Sequence, residues 1–235
     1  MSAEEEKQVK SRERVIDHGE VFTNPREVNA MLDLVKSETQ RIDSRFLEPA
    51  CGDGNFLAEI LRRKLRIVSS SYPSSQSNWE LAGAVSISSI YGIEILEDNA
   101  EECRDRLFQI FTKEFYEEKF RKTSNEKYEE IIKYLLKKNI VCGDALSLLD
   151  SNKKPIVFPE WSFIGYKVQR RDYTFSGLLN DSKQSLMRNV PYKQRKVGQA
   201  SIFDNESDDD FEDAGLIKDR KYPLINFMEL GTAYD

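Results

Sequence analysis

Phe46-Leu47-Glu48-Pro49-Ala50-Cys51-Gly52-Asp53-Gly54-Asn55-Phe56-Leu57 is the stretch on which the fold turns. A short apolar run, Arg45 to Glu48, reads as a strand. It enters a Gly-x-Gly turn, and an amphipathic helix follows. Leu57, Ile60, Leu61, Leu65 and Val68 recur at helical spacing, which predicts a helix from about Asn55 to Val68. A strand–glycine turn–helix unit brings backbone N–H groups at a helix N-terminus close to a small ligand.

On the N-terminal side, Asn24 is a good N-cap, Pro25 suits the first helical position, and Glu27 stands at the capping-box position. Val28, Met31, Leu32 and Val35 continue one apolar stripe. Residues 1–14 are charged and read as a flexible arm. On the C-terminal side, the Ser-rich residues 69–78 read as a surface insertion. Ile90 to Ile95 reads as a buried strand, with Gly92 permitting a close backbone approach. Helices are predicted from Asp98 or Asn99 to Phe111 and from Asn125 to Lys138. Ile140-Val141-Cys142 is the next strand, ending in Gly143-Asp144, and Pro155 to Phe158 is another. Strands alternating with helices predict an α/β fold with a mostly parallel sheet and helices on both faces. Beyond about residue 165 the pattern decays. Lys167 to Lys196 is rich in cations, Asp204 to Asp213 is an acidic loop, and Tyr222 to Leu230 is a last apolar segment able to dock as a strand. The expected organisation is a flexible arm (1–14), a cofactor-binding domain (15–165) and an irregular charged extension (166–235).

The 235 residues suffice for one α/β domain with a sizeable core. A hydrophobic fraction of 39%, a charged fraction of 32% and no apolar run of membrane-spanning length exclude a membrane protein. The charged N-terminus is no secretory signal, which leaves the cytoplasm as the expected location. Cys51, Cys103 and Cys142 follow no metal-ligand spacing and read as reduced, small apolar residues, so no metal is expected. His18, the one histidine, lacks metal companions and reads as a surface residue. The net charge of −6 argues against a strongly DNA-binding isolated chain, because phosphate neutralisation needs clustered Lys and Arg. Lys167, Arg170 and Arg171, interleaved with Tyr166 and Tyr173, are the one candidate nucleic-acid patch, and a solvated loop is the plainer reading.

Four elements suited to a nucleoside with a charged tail stand in order: Gly19-Glu20-Val21-Phe22-Thr23-Asn24-Pro25 before the first helix, Glu48 to Phe56 after the first strand, Tyr91-Gly92-Ile93-Glu94-Ile95 ending the second, and Cys142-Gly143-Asp144-Ala145-Leu146 ending the third. In a parallel sheet the three strand ends share one edge, where ligands bind. Gly52 and Gly54 let the backbone approach a ligand. Asp53 can accept from an ammonium or a water, Glu94 can take two ribose hydroxyls, and Asp144 can accept from an adenine amine. Phe22 and Thr23 can close over the ligand. A nicotinamide-dinucleotide loop is the competing reading, but position 57 is Leu where that fingerprint has its third Gly.

With Glu48-Pro49-Ala50-Cys51-Gly52-Asp53-Gly54 among these elements, the chain resembles the N6-adenine DNA methyltransferases of restriction–modification systems over residues 19–150. The resemblance implies a Rossmann-like fold that binds S-adenosylmethionine. Phe22, Thr23 and Pro25 with Glu48, Pro49, Ala50, Cys51, Gly52, Asp53, Gly54 and Phe56 would hold the methionine part. Glu94 with Ile95 would hold the ribose, and Asp144 with Ala145 and Leu146 the adenine. Asn24 departs from the family's pattern, in which Thr directly precedes Pro.

The family's reaction also needs an Asn/Asp-Pro-Pro-aromatic loop that accepts from the flipped adenine's amine and stacks on its ring. The chain has no such tetrapeptide. Phe158-Pro159-Glu160-Trp161 occupies the slot, with Pro159 and Trp161 in place of the first proline and the aromatic, and Glu160 as the one polar candidate. It reads either as a divergent active loop or as a relic. The residues after 165 also leave the family's sheet short of strands and provide no obvious target-recognition region. The sequence therefore admits a DNA methyltransferase, a non-catalytic subunit that binds a larger partner in a modification or defence complex, and a methyltransferase for RNA or a small molecule.

Overall fold

The computed structural model describes residues 23–180 and 220–234. Phe22, His18, the charged arm 1–14 and the acidic loop 204–213 lie outside the described residues. The chain opens with α1 (Pro25–Asp33) and the short α2 (Lys36–Thr39). Asn24 caps α1, its side chain accepting from the Arg26 N–H at 2.9 Å, with Pro25 in the first turn where no intrahelical N–H is needed. Strand β1 (Phe46–Glu48) leads through the glycine turn into α3 (Asn55–Ser71).

The Ser-rich stretch is structured differently from the surface insertion expected of it. Helix α3 runs on to Ser71, and α4 (Gln76–Ser88) begins immediately after the Ser75 cap. Trp79, Ala82, Ala84 and Ile87 of α4 are buried. A helix enclosed on most sides has no polar face to give it a period, so the sequence carries no amphipathic signal there. Next come β2 (Ile90–Glu94) and α5 (Glu97–Gln109), which passes into a π-helical turn at Ile110–Tyr116 and the short α6 (Glu117–Phe120). The π turn carries Phe111 and Tyr116 against Trp79 and Tyr128, an aromatic cluster at the centre of the helical layer. Helix α7 (Glu126–Asn139), capped by Asn125, feeds β3 (Ile140–Asp144), and β4 (Leu149–Asp150) turns back beside it.

Strands β1, β2 and β3 are parallel, in the order β1-β2-β3, and β4 closes the sheet antiparallel to β3. The register sets Glu48 opposite Gly92 and Glu94 opposite Cys142, so the three strands end along one edge. A Cβ on Gly92 would meet the Cys51 sulfur at 2.9 Å, the close approach expected of that glycine.

Helices α3, α4, α5 and α7 cover one face of this sheet, where Ile90, Leu57, Leu61, Cys103, Leu107 and Leu135 join one large core. The other face is covered chiefly by a strand. Tyr91 and Ile93 pack there against Ile156, Phe158 and Phe175. Phe158 belongs to β5 (Val157–Ile164), which forms an antiparallel hairpin with β6 (Lys167–Thr174); a helix at 175–180 follows. The sheet expected to carry helices on both faces thus has a β-hairpin on one of them. Strands β7 (Arg220–Lys221) and β8 (Ile225–Asn226) both pair with β6, and a closing 3-10 turn (Phe227–Glu229) with a short helix at Leu230–Ala233 packs Phe227 and Leu230 into the helical core. The boundary expected at residue 165 falls in the turn of this hairpin.

One buried side chain ties the layers together. Asn139, at the end of α7, donates to the carbonyls of Ile87, Ser88 and Ile90 and accepts from the Trp161 indole N–H at 2.9 Å. All of these groups are cut off from water, so each needs a protein partner. Asn139 supplies it and fixes the hairpin against the N-terminal end of β2.

Candidate functional site

The loop after β1 is built around its glycines. Gly52 and Gly54 have φ of +54° and +89°, in the left-handed region that side chains disfavour. The backbone is held from both sides: the Cys51 N–H donates to Ile93 O at 3.0 Å, and the Gly54 N–H to Cys51 O at 2.8 Å. Glu94, at the tip of β2, accepts from the Gly52 N–H at 2.8 Å and from the Leu96 N–H at 3.0 Å. The carboxylate expected to meet a ribose therefore lies directly against the loop expected to meet the ligand's tail. Each oxygen has further lone pairs for hydroxyl donors.

Asp144, at the tip of β3, accepts from the Leu146 N–H at 2.9 Å and the Ser147 N–H at 3.3 Å, and these bonds hold its carboxyl below the ordinary range. Ile95 and Leu146, immediately beyond the two acids, are exposed, Leu146 at 95%. Ala145 is partly buried against the second core. Glu48 is half-buried, and burial raises its carboxyl while the Ala50 N–H opposes the rise. Pro49 and Ala50 are exposed at the end of β1. No Cβ contact lies within 4 Å of Gly52, so the outer side of the loop is open. An open glycine backbone, carboxylates at adjacent strand tips and exposed apolar side chains beside them fit a nucleoside whose tail is charged.

Asp53 is placed otherwise than expected. It is buried and paired with Arg106 of α5 at 2.7 Å, and the same guanidinium donates to the Asn55 side chain at 2.7 Å. Arg106 thus grips the loop on both sides of Gly54. Long-range pairing of this kind leaves no local sequence signal, although Arg106 lies three residues beyond Cys103, which also packs against Gly54. Phe56 packs against the large core. Thr23 lies just ahead of the Asn24 cap and Pro25 opens α1, which is fastened to α3 where Arg63 bonds Asn29 and Asp33. A hydrogen bond with Cys103 and burial push the Cys51 thiol well above its usual range, and burial pushes Cys142 up to about 11, so neither is a thiolate nucleophile.

Pro159, Glu160 and Trp161 are not brought to this edge. Ile156 lies beside Gly143, near the strand tips. The Pro159 carbonyl accepts from the Tyr91 hydroxyl at 2.9 Å, Glu160 pairs with Arg45 at 2.8 Å ahead of β1, and Trp161 reaches Asn139 ahead of β3. Strand β5 therefore runs away from the tips, and its last two candidates lie at the opposite ends of the strands. Glu160 and Trp161 are both buried. Among the described residues no cluster of His, Cys, Asp and Glu suits a metal ion, and no helix is long and apolar enough to cross a membrane.

A family model, the MmeI DNA-methyltransferase domain, matches residues 22–158. No curated protein and no solved structure matches. The matched segment begins just ahead of α1, takes in the glycine loop and all three strand tips, and stops inside β5. It covers more than half of the chain, which belongs to the MmeI DNA-methyltransferase domain family.

Proposed function

We propose that this chain is the S-adenosylmethionine-binding part of an adenine-N6 DNA methyltransferase, with a Rossmann-like cofactor fold. The observation that carries the reading is the strand-tip edge, where Glu94 is bonded to the Gly52 N–H and exposed Ile95 and Leu146 stand beside Glu94 and Asp144. In this reading the adenine lies between Ile95 and Leu146 with its amine on Asp144, Ala145 closes one side, and the ribose hydroxyls bond Glu94. The methionine tail lies along Glu48, Pro49, Ala50, Cys51, Gly52 and Gly54, with Thr23 and Pro25 at the entrance. Asp53 and Phe56 hold the loop. The bound cofactor supplies the methyl group, and the protein supplies position and electrostatics.

A second polypeptide contributes the acceptor half of the active site. Two features favour this over catalysis by the chain alone. Pro159, Glu160 and Trp161 lie on a strand that leaves the cofactor edge, and β1 has no strand partner on its outer side among the described residues. Calorimetry with S-adenosylmethionine, paired with a labelled-methyl assay on duplex DNA, tests the reading. The expected result is cofactor binding that Asp144→Ala weakens, and no transfer by the chain alone. Absence of cofactor binding by the wild-type chain refutes the site, and unaided transfer to DNA refutes the need for a partner.

A further inference from the structure

The parallel ladder fixes which way the main chain of β1 points. The Phe46 N–H donates to Ser89 O at 2.9 Å, so Phe46 and Glu48 direct their main-chain groups at β2. Leu47 lies between them and directs its N–H and C=O to the outer side, where β1 has no strand partner among the described residues. An open N–H and C=O on an edge strand are a template for another strand. The register also sets the side chains. Leu47 stands beside Tyr91, on the face that the hairpin covers. That cover stops short of β1, and Leu47 remains 40% exposed. Beside it a cavity of about 160 Å³ is lined by Leu47, Tyr91, Phe158 and Leu178, with the paired Arg45 and Glu160.

The size of the cavity decides what it takes. Ligand pockets run from about 300 Å³ upward, whereas an apolar cavity of about 150 Å³ accepts one benzene ring. This cavity therefore suits one large apolar side chain, and its two charged residues already neutralise each other. An open strand edge with a side-chain pocket on its face is the arrangement by which a sheet takes up an extended peptide: the main chain supplies hydrogen bonds, and the pocket selects a side chain. Two β1 edges paired with each other would join only three residues from each copy, far short of the roughly 1,200 Å² that a stable interface buries, so a second copy is not the occupant.

We propose that the outer side of β1 docks an extended segment of a second polypeptide, which runs parallel to β1 and seats one aromatic or large aliphatic side chain in this cavity. The inference rests on the reading that a second polypeptide completes the methyl-transfer site. Strands β1, β2 and β3 all end at the edge that carries the glycine loop, Glu94 and Asp144. A segment parallel to β1 ends there too, so the residues that follow it emerge beside the glycine loop. The docking surface is thus continuous with the cofactor edge.

The probe is a synthetic fluorescein-labelled peptide of alternating threonine and valine, with one central phenylalanine and a lysine at each end, titrated with the full chain by fluorescence anisotropy. Saturable binding is expected below about 1 mM. Replacing the peptide's phenylalanine by alanine should weaken binding roughly tenfold or more. N-methylation of one set of alternate peptide amides should abolish binding, and of the other set should not. Leu47→Pro removes the outward N–H at an edge position where proline is tolerated, and Leu178→Trp fills the cavity. Both variants should lose the peptide while still unfolding cooperatively and binding S-adenosylmethionine. Hydrogen exchange reads the Leu47 amide directly: it should exchange freely in the chain alone and slow when the phenylalanine peptide is added. No saturable binding, equal binding of the alanine peptide, or retention of the peptide by either folded variant overturns the proposal. A Leu47 amide already protected in the free chain overturns it as well, because a segment of the chain itself, or a second copy if the protection fades on dilution, then holds the edge. Calorimetry with S-adenosylmethionine keeps the two readings apart. A chain that binds the cofactor but not the peptide loses the docking edge alone, and one that binds the peptide but not the cofactor loses the cofactor site and keeps the edge.

Discussion

Gly54→Ala tests the construction of the glycine loop where it packs most closely on α5. Gly54 has φ +89°, and a Cβ there would lie 2.7 Å from the Cys103 sulfur and 3.5 Å from its Cβ. Two costs add. The left-handed backbone costs an L-residue about 1–2 kcal/mol. Forcing a methyl against a packed side chain costs about 1–3 kcal/mol. Cys103 is fully buried, so its sulfur can move only into other side chains. The sum, about 2–5 kcal/mol, corresponds to a melting point lower by roughly 5–20 °C for a domain of this size. The two costs separate in a double-mutant cycle, because Cys103→Ala removes the atom that the new methyl meets. Urea unfolding of the wild type, both single variants and the double variant should give a favourable coupling of about 1–3 kcal/mol, leaving only the backbone cost. Calorimetry on the double variant should still show weakened cofactor binding, because the strained turn relaxes away from its φ. Additive effects in the cycle would show that Gly54 and Cys103 are not in the contact described, and the packing of the loop on α5 would fall with it.

Three other outcomes follow from particular contacts. Arg106→Met should weaken S-adenosylmethionine binding by releasing Asp53 and Asn55, and Arg106→Lys should restore only part of it because a lysine cannot span both acceptors; wild-type affinity in Arg106→Met would show that the clamp is irrelevant to the ligand. Burial lowers the Lys64 ammonium to about 7, while its proton donors point at the carbonyls of Ile42 and Ser44 and at the Ser89 hydroxyl. Between pH 7 and the ordinary lysine value the unfolded chain binds the extra proton, so stability should rise with pH across that window; Lys64→Met should flatten the rise in urea titrations, and an unchanged slope would mean the ammonium stays charged in the folded protein. Trp161→Phe should cost about 1–3 kcal/mol by depriving Asn139 of its donor, with no change in cofactor affinity; a variant of wild-type stability that bound cofactor poorly would move Trp161 back to the site.

The parts of the fold visible in the sequence are those with local physical signatures. Asn24-Pro25 marks the start of α1, the glycines of 52–54 mark a turn that needs positive φ, and the stripe Leu57, Ile60, Leu61, Leu65, Val68 marks one buried face. The edge shared by Glu48, Glu94 and Asp144 followed from parallel strands, and the register agrees. What was missed depends on partners distant in sequence. Helix α4 lacks a polar face because it is enclosed. Strand β6 reads as a charged tract because its cations and anion lie close together in sequence, yet Arg170 and Asp172 are buried and bonded to each other. The ion pair of Asp53 with Arg106 joins the glycine loop to α5 across 53 residues of sequence, and no spacing rule announces it.

The direction of β5 bears most on what the chain can do. In the proposed reading an acceptor loop has to lie beside the cofactor, at the ends of β1, β2 and β3. Strand β5 starts near that edge, where Ile156 meets Gly143, and each residue carries it about 3.3 Å away. By Glu160 it has reached Arg45, ahead of β1, and by Trp161 it has reached Asn139, ahead of β3. Glu160 and Trp161 are buried at these contacts, so sliding the strand back would break the Arg45–Glu160 pair and leave the Asn139 amide oxygen and the indole N–H without each other. The hairpin is therefore a structural support for the second face of the sheet. It leaves β1 with no strand partner on its outer side among the described residues. In the proposed reading the chain holds the cofactor, and a second chain brings the base to the methyl group.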